Sequence, residues 1–194
     1  SNKLLGNKSN EASLEFAYQG PQMKLHSGKA TGVITGNVNF NIIRKNSKID
    51  KGICYETFEL NDGDTLDIMS TNKSVYGYFS IKNGFTGEYF WESCSINTKA
   101  KIGSNNGEKF EAKQKIYINK KESLSDLKKI NYLNSKIEYI RVLKGTNFNF
   151  FSKKAKEIFF FSEFEVSKLT DRMGMRLEGP KIENFVETNI KSEG

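Results

Sequence analysis

The 194-residue sequence has only two cysteines, Cys54 and Cys94, and one histidine, His26. Their spacing fits no zinc or haem motif and no disulfide framework, so no metal is expected. Proline is nearly absent, with two residues, and no repeat tract occurs, which excludes collagenous, mucin-like and fully disordered classes. No stretch approaches the roughly 18 uninterrupted apolar residues that span a bilayer. The opening Ser1-Asn2-Lys3-Leu4-Leu5-Gly6 lacks the apolar core of a secretory signal. A cytoplasmic protein with no membrane partner is the expectation. Arginine is also scarce: Arg44, Arg141, Arg172 and Arg176 stand against 26 lysines.

What is present is ample for one core. Hydrophobic residues make up 37% and charged residues 27%, and 15 phenylalanines dominate the aromatics. A chain of this size buries roughly 70% of its unfolded surface without disulfide or metal staples. The net charge of +7 raises the question of nucleic acid. Acids are interleaved with bases almost throughout, and the densest basic runs, Lys153-Lys154-Ala155-Lys156 and Asn119-Lys120-Lys121, form no continuous arm. The excess reads as a solvated lysine-rich surface, and no nucleic-acid partner is expected. In a chain that writes lysine wherever a plain positive charge suffices, the four arginines mark places where a planar, bidentate donor is needed.

Leu4-Leu5 followed by Gly6-Asn7 reads as a helix end with a left-handed stop, and a helix with so little body suggests that the sequence begins inside a larger domain. Strand signals follow. Leu14, Phe16 and Tyr18 alternate up to Gly20-Pro21; Met23 and Leu25 alternate; Val33-Ile34 leads to a Thr35-Gly36-Asn37 turn; Val38, Phe40 and Ile42 alternate again. Tyr55 to Leu60 ends at Asn61-Asp62-Gly63-Asp64, a hairpin or loop turn, and Leu66 to Ile81 continues the pattern to Asn83-Gly84. Residues 85–113 are irregular, Ile116-Tyr117-Ile118 is apolar, and 119–136 is a polar insertion or short helix. Ile137 to Leu143 reads as a strand. One helix is well marked, with Ser152 as N-cap and Phe151, Ala155, Ile158 and Phe159 on one face. About ten short strands and one or two short helices make the chain mainly β, a closed or nearly closed β-barrel.

The segment richest in chemistry is Thr170-Asp171-Arg172-Met173-Gly174-Met175-Arg176-Leu177-Glu178-Gly179-Pro180. Gly174 and Gly179 permit positive φ or close approach. Asp171 and Glu178 can orient the two guanidinium groups. The segment is either an anion-recognising corner for carboxylate or phosphate, or an arginine–carboxylate clasp that fixes a turn. Other candidates have plainer alternatives. His26 can be a general base or a strand-end histidine. Cys54 and Cys94 can be nucleophiles or inert thiols. Asp62 and Asp64 can hold a cation or build a turn. Glu15 can be an acid–base group or a strand-edge charge. The cluster from Phe148 to Phe164 can be a partner surface or core.

The same segment resembles the family called allophanate hydrolase subunit 2, urea amidolyase-related, or the C-type component of 5-oxoprolinase, whose members carry a Ser-Asp-Arg-Met-Gly-Tyr-Arg-Leu-Glu-Gly-Pro stretch. Further elements follow in order. Leu4-Leu5-Gly6-Asn7, Ala12, Leu14-Glu15 and Gly20-Pro21 resemble the family's opening. Gly63-Asp64 with Leu66 resembles its Gly-Asp-x-Leu turn. Arg141-Val142-Leu143 with Gly145, and Phe151-Ser152, resemble its Arg-Val-Leu-x-Gly and Phe-Ser element. There are departures. Thr170 and Met175 replace Ser and Tyr, Asn83 replaces a glycine, and Trp91-Glu92-Ser93-Cys94-Ser95-Ile96 stands where a Gly-Ser-Arg-Ser-Thr element is usual. The family's first and last motifs are not in the chain, which reads as a fragment of a longer family domain truncated at both ends.

The resemblance implies a cyclophilin-like β-barrel, with residues 1–194 as a single domain, that works beside a homologous subunit 1-type partner on a small amide or lactam. It implies an ATP-dependent hydrolase of the 5-oxoprolinase kind, with ATP bound together with the partner. The alternatives are a biotin-dependent carboxyltransferase of the urea carboxylase kind, where biotin is the cofactor, and a non-catalytic regulator that binds a homologous kinase inhibitor. Arg172, Arg176, Asp171, Gly174 and Glu178 are the expected substrate- or anion-binding residues, with Arg141, Glu15 and Asn7 as further candidates. No catalytic residue is assigned.

Overall fold

The alternating apolar positions of the first half become strands whose inward side chains meet in one core. The computed structural model describes residues 1–119, 128–131, 138–170 and 174–183. The chain divides into two compact units, 1–134 and 135–194.

In the first unit, helix α1 (Asn2–Leu5) precedes β1 (Leu14–Ala17), β2 (Gln22–Lys24), β3 (Lys29–Thr35), β4 (Val38–Ile43), β5 (Ile49–Lys51), β6 (Thr57–Asn61), β7 (Thr65–Thr71), β8 (Tyr76–Ile81), β9 (Ile96–Asn97) and β10 (Ile102–Gly103). One four-stranded sheet has the order β1-β8-β3-β6 and the other β2-β7-β4-β5, and every pairing is antiparallel. Strands β9 and β10 form a separate small ribbon. The chain is mainly β, as expected. The described pairings leave two open sheets, and neither closes on itself.

Val38, Phe40 and Ile42 face inward from β4, with Leu66 and Ile68 beside them on β7; Phe16, Ile34, Leu60, Phe79 and Ile81 face them from the other sheet. The Phe40 and Phe58 rings lie 5.2 Å apart, and the Phe79 ring meets Phe85 edge-on at 5.7 Å, a favourable aromatic geometry. Strand β3 is buried on both faces. Ile34 joins this core, while Val33 packs under Leu4 and Leu5 of α1.

The turns do not all make hairpins. The turns after β3 and β6 each lead into a strand of the opposite sheet, so the Asp62-Gly63 turn is an inter-sheet connection. Periodicity marks a turn there but not which sheet the next strand joins. Gly20 sits where the chain passes from β1 to β2, and a Cβ there would stand 2.2 Å from Ile68 Cγ2, so no other residue fits without movement.

Helix α1 ends as its sequence predicts. Gly6 adopts φ 64°, and its N–H reaches the carbonyls of Asn2 and Lys3. The helix is then tied to the end of β8. Lys82 Nζ donates to the Leu5 carbonyl at 2.6 Å. The Asn7 carboxamide donates to the Ile81 carbonyl at 2.8 Å and accepts from the Asn83 N–H at 2.9 Å.

In the second unit, helix α2 (Lys153–Phe161) starts at Ser152, whose Oγ accepts the Ala155 N–H at 3.1 Å. Of the expected inner face, Ala155 is buried and Phe159 is not. Strands β11 (Glu165–Val166) and β12 (Leu177–Glu178) pair antiparallel. Residues 138–143, expected as the body of a strand, form none. Tyr139, Ile140 and Leu143 are exposed, and the segment has no partner strand among the described residues. The insertion at 119–136 lies mostly outside the described residues. No described helix is long and apolar enough to cross a membrane.

Candidate functional site

Register on the first sheet sets out the site. Glu15 stands opposite Tyr78, and Tyr78 stands opposite Thr35, so these three residues lie side by side on the sheet face away from the main core. Helix α1 covers the neighbouring Val33 on that face. Between the helix and the uncovered part of the sheet lies an open cleft of about 630 Å³. Its floor is Tyr78 and Thr35. Its walls are Ser1, Asn2 and Lys3 from the helix, with Asn7, Ser9 and Ser13 from the segment that leads into β1.

Hydrogen bonds hold much of this lining in place. Ser1 Oγ and Thr35 Oγ1 are 2.8 Å apart. Ser13 Oγ lies 2.6 Å from the fully buried Ser80 Oγ. Asn2 Nδ2 donates to the Glu11 carbonyl at 2.9 Å, and its Oδ1 accepts from Asn7 at 3.1 Å. Lys3 contributes the one cationic side chain of the described lining, and it makes no ion pair among the described residues. The described lining contains no carboxylate, imidazole or thiol. It can bind a small polar molecule through an ammonium, hydroxyls and carboxamides.

The expected site residues are divided between the two units. Asn7 lines the cleft, although its hydrogen bonds also clasp α1 to β8. Glu15 is exposed beside Tyr78. Arg141 lies exposed in the second unit, outside any strand or helix. Asp171 and Arg172 lie outside the described residues. Arg176 is exposed; its carbonyl accepts the Ser167 N–H at 2.8 Å, and its guanidinium makes no ion pair among the described residues. Glu178 does not orient Arg176. It faces Glu165 across the β11–β12 ladder. Gly179 does allow a close approach, since a Cβ there would lie 2.4 Å from the Phe164 ring, whereas a Cβ at Gly174 would meet nothing within 4 Å.

The bidentate arginine that composition foreshadows is realised at Arg44. Its Nε donates to Asp50 at 2.7 Å, and its Nη1 donates to Asp64 at 2.8 Å and to the Glu59 carbonyl at 2.9 Å. Burial alone would raise the Asp64 carboxyl. The Asn61 N–H, the Arg44 guanidinium and the Lys45 N–H outweigh it and hold Asp64 below the usual carboxylate value. Asp64 is therefore a turn and clasp residue, and no metal-binding cluster occurs among the described residues. His26 is exposed between β2 and β3. Cys54 is half-buried, and burial pushes its thiol up against a smaller opposite pull from its hydrogen bond to the Val38 carbonyl. Cys54 and Cys94 are both unbridged.

Sequence reasoning missed Lys3, Thr35 and Tyr78. Only the register of β3 and β8 brings them to the residues around α1.

A family model described as carboxyltransferase domain, subdomain A and B, matches residues 1–194. The C-type component of 5-oxoprolinase from Haemophilus influenzae is 24% identical over 137 residues, covering 66% of this chain and 41% of that protein. Its Escherichia coli namesake is 24% identical over 136 residues, covering 68% and 43%. The chain thus matches about two fifths of the length of these relatives. The crystal structure of the Kluyveromyces lactis urea carboxylase aligns with a TM-score of 0.75 at 22% identity, covering 94% of this chain and 17% of that one. This likeness establishes a shared fold.

Proposed function

The chain belongs to the family of carboxyltransferase domains with subdomains A and B, and from that membership we propose that it serves as one subunit of an ATP-dependent amidohydrolase resembling 5-oxoprolinase. It would open a small lactam or amide together with a homologous partner subunit. The observation that carries this reading is the cleft beside α1, which Lys3, free of ion pairs among the described residues, lines together with residues that bear hydroxyl and carboxamide groups. A cyclic amide that bears a carboxylate calls for one cation, donors for its carbonyl and an acceptor for its N–H. The two bacterial relatives, named as parts of 5-oxoprolinase, support the same choice of substrate class.

Within this reading the chain binds and orients the substrate. The described lining of its cleft holds no carboxylate, imidazole or thiol, and we assign the proton transfers to groups outside it. The cleft does not suit a nucleoside triphosphate, because one ammonium without a glycine-rich loop is a poor match for a triphosphate. We therefore assign the nucleotide to the partner. Arg172 and Arg176 remain our proposed grip on an anionic group. The Arg176 guanidinium, without an ion pair among the described residues, supports this role. We also propose that the two open sheets belong to a cyclophilin-like barrel and that 1–194 acts as one domain, a view supported by a single family model spanning both units.

The test is 5-oxoproline-dependent ATP hydrolysis by the full-length protein with its partner subunit. Lys3→Ala should raise KM for 5-oxoproline by about tenfold, the equivalent of roughly 1.4 kcal/mol. A complex that hydrolyses no ATP in response to 5-oxoproline would refute the assignment. The family's description as a carboxyltransferase domain supports one second reading, carboxyl transfer, for which we propose carboxybiotin as the donor. Biotin-carrier-dependent activity on urea would select it.

A further inference from the structure

We infer that the turn at Trp91 is a docking knob for a protein partner that presents an apolar pocket rimmed by lysine or arginine. Tyr89, Phe90 and Trp91 are consecutive and, at 50%, 42% and 85% exposure, all stand in water. Phe90 and Ser93 exchange two backbone hydrogen bonds, 2.9 and 3.0 Å long, which close a two-residue turn over Trp91 and Glu92. Both turn residues have positive φ, 48° and 63°. Glycine, asparagine and aspartate suit such a turn; tryptophan does not. The sequence holds its one tryptophan at the tip against local preference, and such outliers concentrate where a surface is used.

The base of the turn is anchored, so the tip is presented in a fixed position. Ser104 Oγ accepts the Glu88 N–H at 3.2 Å, and Ser93 Oγ accepts the Ser95 N–H at 3.1 Å. Tryptophan and tyrosine held rigidly are the residues that dominate protein interfaces, because they bury much area at little entropic cost.

Charge identifies the occupant. Glu88 and Glu92 bracket the three rings, both are exposed, and neither forms an ion pair among the described residues. In a chain of net charge +7 this is a local acidic and aromatic patch. Carboxylates at this position repel phosphate, which disfavours nucleic acid and anionic lipid. They attract lysine or arginine, which can also lie over the indole face. The inference rests on the reading of the chain as a subunit, and it names the surface that the partner would engage.

The experiment uses the full chain with 5-fluorotryptophan incorporated, which gives a single fluorine resonance because Trp91 is the only tryptophan. The purified homologous partner subunit is titrated in. The expected result is a shift of that resonance on binding, with affinity weakened at least about tenfold by Trp91→Ala and partly recovered by Trp91→Phe. Charge reversal by Glu88→Lys with Glu92→Lys should also weaken binding and invert its salt dependence. If the partner binds Trp91→Ala as tightly as the wild type and the resonance does not move, the docking inference is wrong while the subunit reading stands. If no complex forms with the wild type, both fall. A resonance that shifts with an oligonucleotide or phosphatidylserine vesicles, and not with the partner, overturns the inference in favour of that ligand.

Discussion

Arg44 Nη1 lies 2.8 Å from Asp64 Oδ2, and the Asp64 side chain is only 4% exposed. The same guanidinium reaches Asp50 through Nε, so one planar cation ties the end of β4 to the β5 strand and to the turn after β6. Asp64 in turn accepts the backbone N–H groups of Asn61 and Lys45.

Removing the fork leaves Asp64 buried and short of its cation. Arg44→Ala should lower the stability of the protein by about 2 kcal/mol in urea unfolding, because breaking a largely buried pair leaves an uncompensated charge. Arg44→Lys should recover less than half of that loss, since an ammonium cannot serve Asp50 and Asp64 with the same two-pronged geometry. Full recovery by lysine would show that charge alone is at work.

The same clasp sets an acid limit. The Asp64 carboxyl lies below its ordinary value of 3.8, and so does Asp50, held there by hydrogen bonds from Arg44 and Lys48. A carboxyl depressed in the folded state contributes stability above its unfolded value and loses it as pH falls through the folded value. Urea midpoints measured from pH 7 downward should therefore hold through pH 5 and decline below about pH 4. In Asp64→Asn the decline should be shallower, from a lower starting midpoint. An identical pH profile in the variant would remove Asp64 from the account.

How far the sequence carries depends on the range of each signal. Gly6 and Ser152 are legible because a left-handed stop and an N-cap are decided within one turn of helix. Val38, Phe40 and Ile42 are legible because alternation alone puts them inside. The 138–143 segment carries a similar apolar content and forms no strand, because a strand also needs a neighbour, which periodicity cannot supply. The cleft was out of reach for the same reason. Lys3 and Tyr78 are 75 positions apart, and only α1 packing on Val33 brings them to one surface. Arg44 was half legible. Rarity marked it as a fork, but Asp50 and Asp64 became its partners only through the sheet.

Cys54 offers a chemical probe of the core. Its thiol is half-buried, raised by that burial, and hydrogen-bonded to the Val38 carbonyl at 3.2 Å. The thiolate is the reacting species, so iodoacetamide near pH 7.5 should label Cys54 slowly in the folded protein and at the rate of a free cysteine in urea. Peptide mass spectrometry distinguishes it from Cys94. Equal labelling rates in folded and unfolded protein would contradict the burial of this thiol.

The turn over Trp91 and Glu92 can be tested for cost as well as for use. Two residues with side chains ill suited to positive φ occupy the positions that asparagine and glycine fill at little expense. Replacing both, as Trp91→Asn with Glu92→Gly, keeps the Phe90–Ser93 hydrogen bonds and relieves the backbone, so the folded state should gain about 1 kcal/mol. Trp91 is 85% exposed, so little packing is lost in exchange. Circular dichroism during urea unfolding reads the gain without relying on the deleted indole. The same double variant should be the weakest binder of the partner subunit, because it discards both the ring and one flanking carboxylate. Stability that rises while binding falls is the signature of a segment kept for contact. A variant less stable than the wild type would mean that the indole contributes to folding, and the turn would then need no partner to explain it.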